Sequence, residues 1–204
     1  MDPVAHWERV YSTKPSNEVS WFQARPTRSL ELLGDVNGGA ERRIIDVGGG
    51  DSSFADEVVE HRLGSITVLD LSASALARAK ARLGTRASEV DWIDGDVTRT
   101  RLGVDAYDVW HDRAVFHFLT SPDDRARYVA TAAEAVRSSG TLIVATFAAD
   151  GPTRCSGLDV ARYDEAGLAR EFDSSFILVR GLGDVHRTPS GAEQRFTYVV
   201  LRRC

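Results

Sequence analysis

Two groups of residues have types and spacing that suit chemistry. The first is Asp46-Val47-Gly48-Gly49-Gly50-Asp51-Ser52, followed at a distance by Asp70 and Asp96. An apolar run, Arg43 to Asp46, ends in an acid and then a glycine cluster. Glycine lets the backbone turn sharply and lets a ligand approach it closely. The N–H groups that open a following helix favour electron-rich ligand atoms. Asp70 ends a second apolar run, Val68-Leu69-Asp70-Leu71-Ser72, at about the 20-residue spacing usual for a ribose-binding acid. Asp96, with Val97 beside it, follows a third, Trp92-Ile93-Asp94-Gly95. A carboxylate accepts two hydrogen bonds from a vicinal diol, and another accepts from an adenine amino group. Three such acids suit a nucleoside lying across the carboxyl edge of a parallel sheet.

The second group is Val109-Trp110-His111-Asp112-Arg113-Ala114-Val115-Phe116-His117-Phe118. His111 is a candidate proton acceptor near neutral pH. Asp112 would orient His111 or a cationic substrate, and Arg113 would bind an anionic or planar one. The alternative is structural: Asp112 and Arg113 pair to fix a strand-to-helix turn, and His111 touches a ligand through its backbone only. His117 reads as a helix residue packed between Phe116 and Phe118. Cys155 and His186 are further pocket candidates, with a loop thiol and a solvated turn histidine as the alternatives.

Elements must position these groups. Trp7, Val10 and Tyr11 sit at helical spacing, Thr13 to Asn17 breaks that helix, and Leu30, Leu32 and Leu33 mark another. Strands are expected at 43–47, 65–70, 89–93, 107–111 and 141–147. Crossover helices are expected at 53–62, after the N-cap Ser72, and from Pro122 to about Ser138. A loop is expected over 148–163 and a helix near 164–172. Two strands, 176–179 and 196–201, are separated by a connection from Asp184 to Glu193. The βα alternation gives an α/β fold: a Rossmann-like, doubly wound, mostly parallel seven-stranded sheet with a C-terminal antiparallel hairpin. A single domain spans 1–204, with an N-terminal helical lid (1–40), a ligand-binding core (41–150), and a substrate loop with terminal strands (151–204).

On these residues the chain resembles class I S-adenosylmethionine-dependent methyltransferases. Their first motif, an acid and two or three glycines after a strand, matches Asp46, Gly48, Gly49 and Gly50, with Ser52 where many members have another Gly. Their ribose acid matches Asp70, flanked by Leu71, and their adenine-side acid matches Asp96, beside Val97. The resemblance implies S-adenosyl-L-methionine as cofactor and a methyl-transfer activity. It also suggests Tyr11 and Trp21 as a cover for the sulfonium, since an aromatic face attracts cations, and His111 as a cofactor neighbour. The stretch from Trp110 to Arg125, then Thr141 to Phe147, then Asp150-Gly151-Pro152, is similar to thiopurine S-methyltransferase and its relatives. Those carry Trp-Asp-Arg-Gly after strand four; here His111 is inserted and Ala114 replaces the Gly. Parts of the turn also resemble small protein-lysine methyltransferases. The implied acceptor is a small molecule with an S, N or O nucleophile. A protein lysine is the alternative, and a non-catalytic S-adenosylmethionine-binding protein is the rival outside the enzymes. Catalysis would fall to His111, Asp112 and Arg113, with no metal.

Bulk properties bound the rest. The chain has 204 residues, 43% hydrophobic and 27% charged, enough for one domain with a full core. Its net charge of −5 argues against a general nucleic-acid grip. Two cysteines far apart in sequence, Cys155 and Cys204, make a disulfide scaffold improbable and a reducing cytoplasm the simpler location. No signal peptide is expected from Met1 to Trp7, and no apolar run approaches the roughly 20 residues of a membrane span. A monomer or homodimer is expected.

Overall fold

The computed structural model describes residues 2–204. The chain opens with α1 (Pro3–Thr13) and α2 (Thr27–Gly34), joined by a loop. Asp2 caps α1 by accepting from the Val4 N–H at 3.0 Å. There follow β1 (Arg43–Val47), α3 (Phe54–Glu60), β2 (Ser65–Asp70), α4 (Ala73–Leu83), β3 (Val90–Asp94) and β4 (Tyr107–Arg113). The second half holds α5 (Pro122–Ala135), β5 (Val136–Phe147), β6 (Arg154–Cys155), β7 (Leu158–Asp159), α6 (Glu165–Arg170), β8 (Phe176–Arg187) and β9 (Glu193–Arg203).

Seven strands form one sheet in the order β3-β2-β1-β4-β5-β9-β8; β6 and β7 form a separate two-stranded piece. Only β9 runs against its neighbours, pairing antiparallel with β5 and with β8. From β1 the chain winds outward through β2 to β3. It then returns to β4 and winds the other way. The carboxyl ends of β1 and β4 therefore lie side by side, with Asp46 opposite His111 and Val47 opposite Asp112. A crevice at such a switch point is where open α/β sheets bind ligands.

Both faces of the sheet are covered, so the central strands are apolar on both sides. Ile45, Trp110, Leu142 and Val144 pack on one face with Tyr128 of α5 and Leu168 of α6. Their neighbours Ile44, Val109, Ile143 and Ala145 pack on the other with Leu33 of α2 and Phe54 and Val58 of α3. Burying each such Leu, Ile or Val stabilises the fold by about 1.5–3 kcal/mol. Ser72 caps α4 as its sequence position suggests, accepting from the Ala75 N–H at 3.1 Å.

The N-terminal segment is tied across the carboxyl edge of the sheet. The Glu8 carboxylate of α1 accepts from the Ser74 N–H at 3.1 Å and the Ser74 hydroxyl at 2.6 Å. Between α1 and α2, the Ser16 hydroxyl donates to Asp51, and the Ser53 hydroxyl donates to the Gln23 carbonyl at 3.0 Å.

Four boundaries differ from the sequence expectation. Strand β4 continues through Asp112 to Arg113, paired to Val144 and Ala145 of β5. Helix α5 stops at Ala135 rather than near Ser138. The buried Val136 already pairs with Tyr107, and the ladder breaks before resuming at Val109–Thr141, with Ser139 at a φ of 63°. The loop expected over 148–163 contains the β6–β7 hairpin. Strand β8 runs to Arg187, so most of the expected connection from Asp184 to Glu193 is strand, and the turn is only Thr188 to Ala192.

Candidate active site

The glycine loop is shaped by the two acids beside it. A Cβ at Gly49 would stand 2.3 Å from Asp46 Oδ2, and one at Gly50 would stand 2.4 Å from Asp70 Oδ2. Gly48 has a φ of 66° and would meet Val115. Only glycine lets the loop lie this close to both carboxylates. Gly48 and Gly49 line a small inner pocket of about 50 Å³ with Asp46, Ser53, His111 and Arg113. Gly50 lines neither this pocket nor the outer cavity beside it; its missing side chain makes room for Asp70 and Ala75.

Asp70 is buried at the end of β2, and its Oδ1 accepts from the Ser72 N–H at 2.8 Å. Burial, with the nearby Asp46, Asp94 and Glu8 charges, pushes its pKa up to about 7, despite that hydrogen bond. Asp96 is more open. Its Oδ1 accepts from the Thr98 N–H and hydroxyl, both at 2.8 Å. Asp70, Leu71, Asp96 and Val97 line one half of an outer cavity of about 490 Å³, and Gly48 borders it.

His111 and Asp112 face away from that cavity. The His111 ring is buried, 4.1 Å from the Phe54 ring and stacked on it. Its Nδ1 lies 2.6 Å from Asp46 Oδ1 and its Nε2 2.8 Å from the Ser29 hydroxyl. A carboxylate can only accept, so Nδ1–H donates to Asp46, while Nε2 shares the other hydrogen bond with the Ser29 hydroxyl. Both ring nitrogens are engaged, and the ring fixes Asp46. It leaves Asp46 Oδ2 buried and without a partner.

Asp112 is fully buried on the opposite face of β4. It accepts from the Val115 N–H at 2.8 Å, the Phe116 N–H at 3.0 Å and the Tyr128 hydroxyl at 2.6 Å. The Tyr128 oxygen in turn accepts from the Trp110 Nε1–H at 2.8 Å. Burial pushes the Asp112 pKa up to about 6 against these bonds. Asp112 lines neither cavity. It holds the turn after β4, with backbone and Tyr128 rather than Arg113 as partners. Ala114 in that turn has a φ of 75°, a left-handed conformation that costs a residue with a Cβ. This is the position where the thiopurine-type turn carries Gly.

Of the three, only Arg113 reaches the outer cavity; it also borders the inner pocket, together with His111. Its Nη1 donates to the Trp21 carbonyl at 3.2 Å, and its guanidinium lies 4.5 Å from the centre of the Phe196 ring. Its Nε and Nη2 are buried without a partner. Four rings wall the outer cavity beside it: Trp7, Tyr11, Trp21 and Phe118. They meet near edge-on, with Trp7 5.7 Å from Trp21 and 5.0 Å from Phe118, and Tyr11 6.1 Å from Trp21.

Residues 44–140 match the profile of a family described as "Methyltransferase domain". The core of this chain is a methyltransferase domain. Solved structures share its fold along most of their length. The protein studied for converting a disulfide bond into a thioacetal group during echinomycin biosynthesis is 16% identical. It covers 98% of this chain and 92% of its own, with a TM-score of 0.80. The N-methyltransferase NodS of Bradyrhizobium japonicum, solved with S-adenosylhomocysteine, is 15% identical, with 99% of each chain covered and a TM-score of 0.72. The 1,6-didemethyltoxoflavin-N1-methyltransferase of Burkholderia thailandensis is 19% identical, with 98% and 83% covered and a TM-score of 0.68. No curated protein matches the sequence significantly.

The remaining candidates of the methyltransferase separate cleanly. Cys155, in β6, lines the outer cavity, but burial pushes its thiol up to about 11, so it stays protonated near neutrality. His186 lines neither cavity. It is buried in β8 with Nε2 on the Ser20 carbonyl at 2.8 Å, so it anchors the lid rather than standing in a turn. His117, in the short 3₁₀ helix Phe116–Phe118, is fully buried, and its Nδ1 accepts from the Phe147 N–H at 3.3 Å. Burial, with Arg113 nearby, pushes its pKa down to about 3. Ser29, Phe54 and Tyr128 were not singled out from sequence. Their partners lie 16 to 82 residues away in the chain, and no local pattern announces them.

Proposed function

We propose that this methyltransferase uses S-adenosyl-L-methionine to methylate a sulfur, nitrogen or oxygen nucleophile of a small molecule. The observation that carries the reading is the unpartnered, buried Asp46 Oδ2 facing the glycine loop, with Asp70 and Asp96 following along the same carboxyl edge. A buried carboxylate oxygen without a donor costs free energy, and a ligand ammonium satisfies it. Asp70 suits the ribose diol, and Asp96 with Val97 and Leu71 suits the adenine. Tyr11 and Trp21 present aromatic faces suited to a cation. Glycines that tolerate no Cβ make the close backbone approach that such a ligand needs.

The bound cofactor supplies a methyl group on a sulfonium that is already a good leaving group. The protein's own residues have four tasks: to hold the cofactor, to orient the acceptor, to exclude water, and to do so without a dedicated base. Orientation is worth up to about 7–11 kcal/mol of the barrier. His111 and Asp112 are committed to structure, so the acceptor is one that reacts through a free lone pair or arrives ionised. The unpaired charge on Arg113 works against a lysine ammonium in the same space, which favours a small molecule over a protein lysine. The free thiols Cys155 and Cys204 fit a reducing compartment, and we take it to be the cytoplasm. No described helix is long and apolar enough to cross a membrane. A monomer or homodimer without nucleic acid remains our reading.

The test is turnover. The protein is incubated with S-adenosylmethionine and a panel of thiols, amines, phenols and carboxylic acids. S-adenosylhomocysteine and a product heavier by one methylene are read by mass. Calorimetry that finds NAD bound at micromolar affinity and S-adenosylhomocysteine not bound would end this reading. Tight S-adenosylhomocysteine binding without turnover on any acceptor would favour a non-catalytic binding protein.

A further inference from the structure

We infer that the methyl acceptor carries an anionic group, a carboxylate in its commonest form, and that Arg113 reads it. The inference rests on the methyltransferase reading and deepens it by naming the acceptor's chemical class. Its first support is an imbalance of charge. The Arg113 guanidinium donates to the Trp21 carbonyl, while its Nε–H and Nη2 donors are buried without a hydrogen-bond partner of good geometry, the Tyr198 hydroxyl being the neighbouring polar group. No acid among the described residues pairs with it, whereas the arginines on α4 and β1 have one, as in Arg82–Asp56 at 2.8 Å and Arg43–Asp108 at 3.0 Å. Buried guanidinium groups without a counter-charge are costly, and a fork of two free donors fits a carboxylate. Its field reaches what surrounds it: after burial, Arg113 is a further cause lowering the pKa of both His117 and His186.

Position separates this cation from the ribose and adenine acids, while it shares the inner pocket with Asp46 and the glycine loop. The acids that suit the cofactor sit on β1, at the end of β2 and just past β3. The sheet then continues through β4 and β5 to β9. Arg113 leaves the end of β4, and its guanidinium crosses toward Phe196 of β9. At about 4.8 Å per strand, β9 is roughly 14 Å from the strand that carries Asp46. The free donors therefore lie on the side of the site away from the ribose and adenine acids. Trp7, Trp21 and Phe118 line the cavity on the same side, so the acceptor they fit has a flat apolar body with an anion at one end.

The probes are benzoate, 4-hydroxyphenylacetate and indole-3-acetate, each beside its uncharged amide. Each is titrated calorimetrically into protein saturated with S-adenosylhomocysteine. Charge-assisted hydrogen bonds predict that the acids bind about 10–100-fold more tightly than the amides. Arg113→Met should erase that preference and Arg113→Lys should keep part of it. Acids that bind no better than their amides in the wild type would overturn the inference. So would an Arg113→Met variant that keeps the acid preference and loses S-adenosylhomocysteine instead, which would give Arg113 to the cofactor. The wild-type comparison stands even if Arg113→Met does not fold. Wild type that fails to bind S-adenosylhomocysteine at all would remove the underlying reading, a result distinct from either of these.

Discussion

Asp70, the acid proposed to hold the ribose, should make cofactor affinity depend on pH. Its carboxyl is buried, its Oδ1 is used by the Ser72 N–H at 2.8 Å, and its pKa is raised from 3.8 to about 7, chiefly by burial. Only the ionised form offers Oδ2 as a full acceptor to a ribose diol. With a pKa near 7, about one tenth of the free protein is ionised at pH 6 and about nine tenths at pH 8. The S-adenosylhomocysteine dissociation constant should therefore fall about tenfold between pH 6 and pH 8, or about 1.4 kcal/mol. The Asp70→Asn variant should bind more weakly at pH 8, by roughly 1.5–3 kcal/mol, and show no such slope. Stability of the free protein has the opposite sign. The folded pKa lies above the unfolded value, so this group's contribution is full below about 3.8 and is lost as pH rises through about 7. At roughly 1.4 kcal/mol per unit over about three units, the loss is on the order of 4 kcal/mol. Isothermal calorimetry at pH 6, 7 and 8, with melting curves of free and bound protein, reads both effects. A wild-type affinity flat across that range, or an Asp70→Asn variant with the same slope, would refute the reasoning. The groups facing Asp70 are Asp46, Asp94 and Glu8, and the asparagine variant separates their titration from that of Asp70.

Asp112→Ala strands two backbone N–H groups and the Tyr128 hydroxyl, each at about 1–3 kcal/mol, so a loss of roughly 3–9 kcal/mol is expected in urea unfolding. A fully stable Asp112→Ala protein without activity would restore Asp112 to catalysis. His111→Ala removes the buried partner of Asp46 and should cost stability and S-adenosylhomocysteine affinity, in the range of about 3–5 kcal/mol for a broken buried pair. Its turnover at saturating cofactor should keep the wild-type pH profile from 6 to 8; loss of a histidine-like limb from that profile would make His111 the base after all. Ala114→Gly relieves a left-handed φ and should raise stability by up to about 1 kcal/mol, seen as a higher melting temperature. A lower one would mean the Ala114 methyl packs usefully against the cavity wall.

The parallel half of the fold is legible because its signals are local. β1 and β2 each read as an apolar run that ends in an acid, and both fall at the expected residues, 43–47 and 65–70. Ser72 announces α4 by its own hydroxyl. β8 hides for the opposite reason. It is the outer edge of the sheet, and along Arg180-Gly181-Leu182-Gly183-Asp184 every residue is at least partly exposed. Without a buried face, no period-two pattern forms to mark the strand. Its pairing with β9 over Arg180 to Arg187 is carried by backbone hydrogen bonds, which composition does not record.

The three acids proposed for the cofactor stand at or just past strand ends, and strand ends converge wherever a parallel sheet is wound. The chemistry after β4 was not legible in the same way, and the reason is two residues of strand. If β4 ended at His111, then Asp112 and Arg113 would begin a turn with free directions, and all three side chains could meet at the ligand. Because the ladder holds to Arg113, side chains alternate. His111 and Arg113 share the face of Val109, under the lid, while Asp112 joins Trp110 and Tyr128 on the other. Alternation alone then separates the three roles. Along their shared face, His111 stands opposite Asp46 and is consumed by it. Arg113, two residues further on, has passed the end of β1 and meets no acid. A charge pattern that sequence presents as one catalytic cluster is divided by the pleat into a support for Asp46, a cap for the turn, and one cation without a paired acid at the cavity.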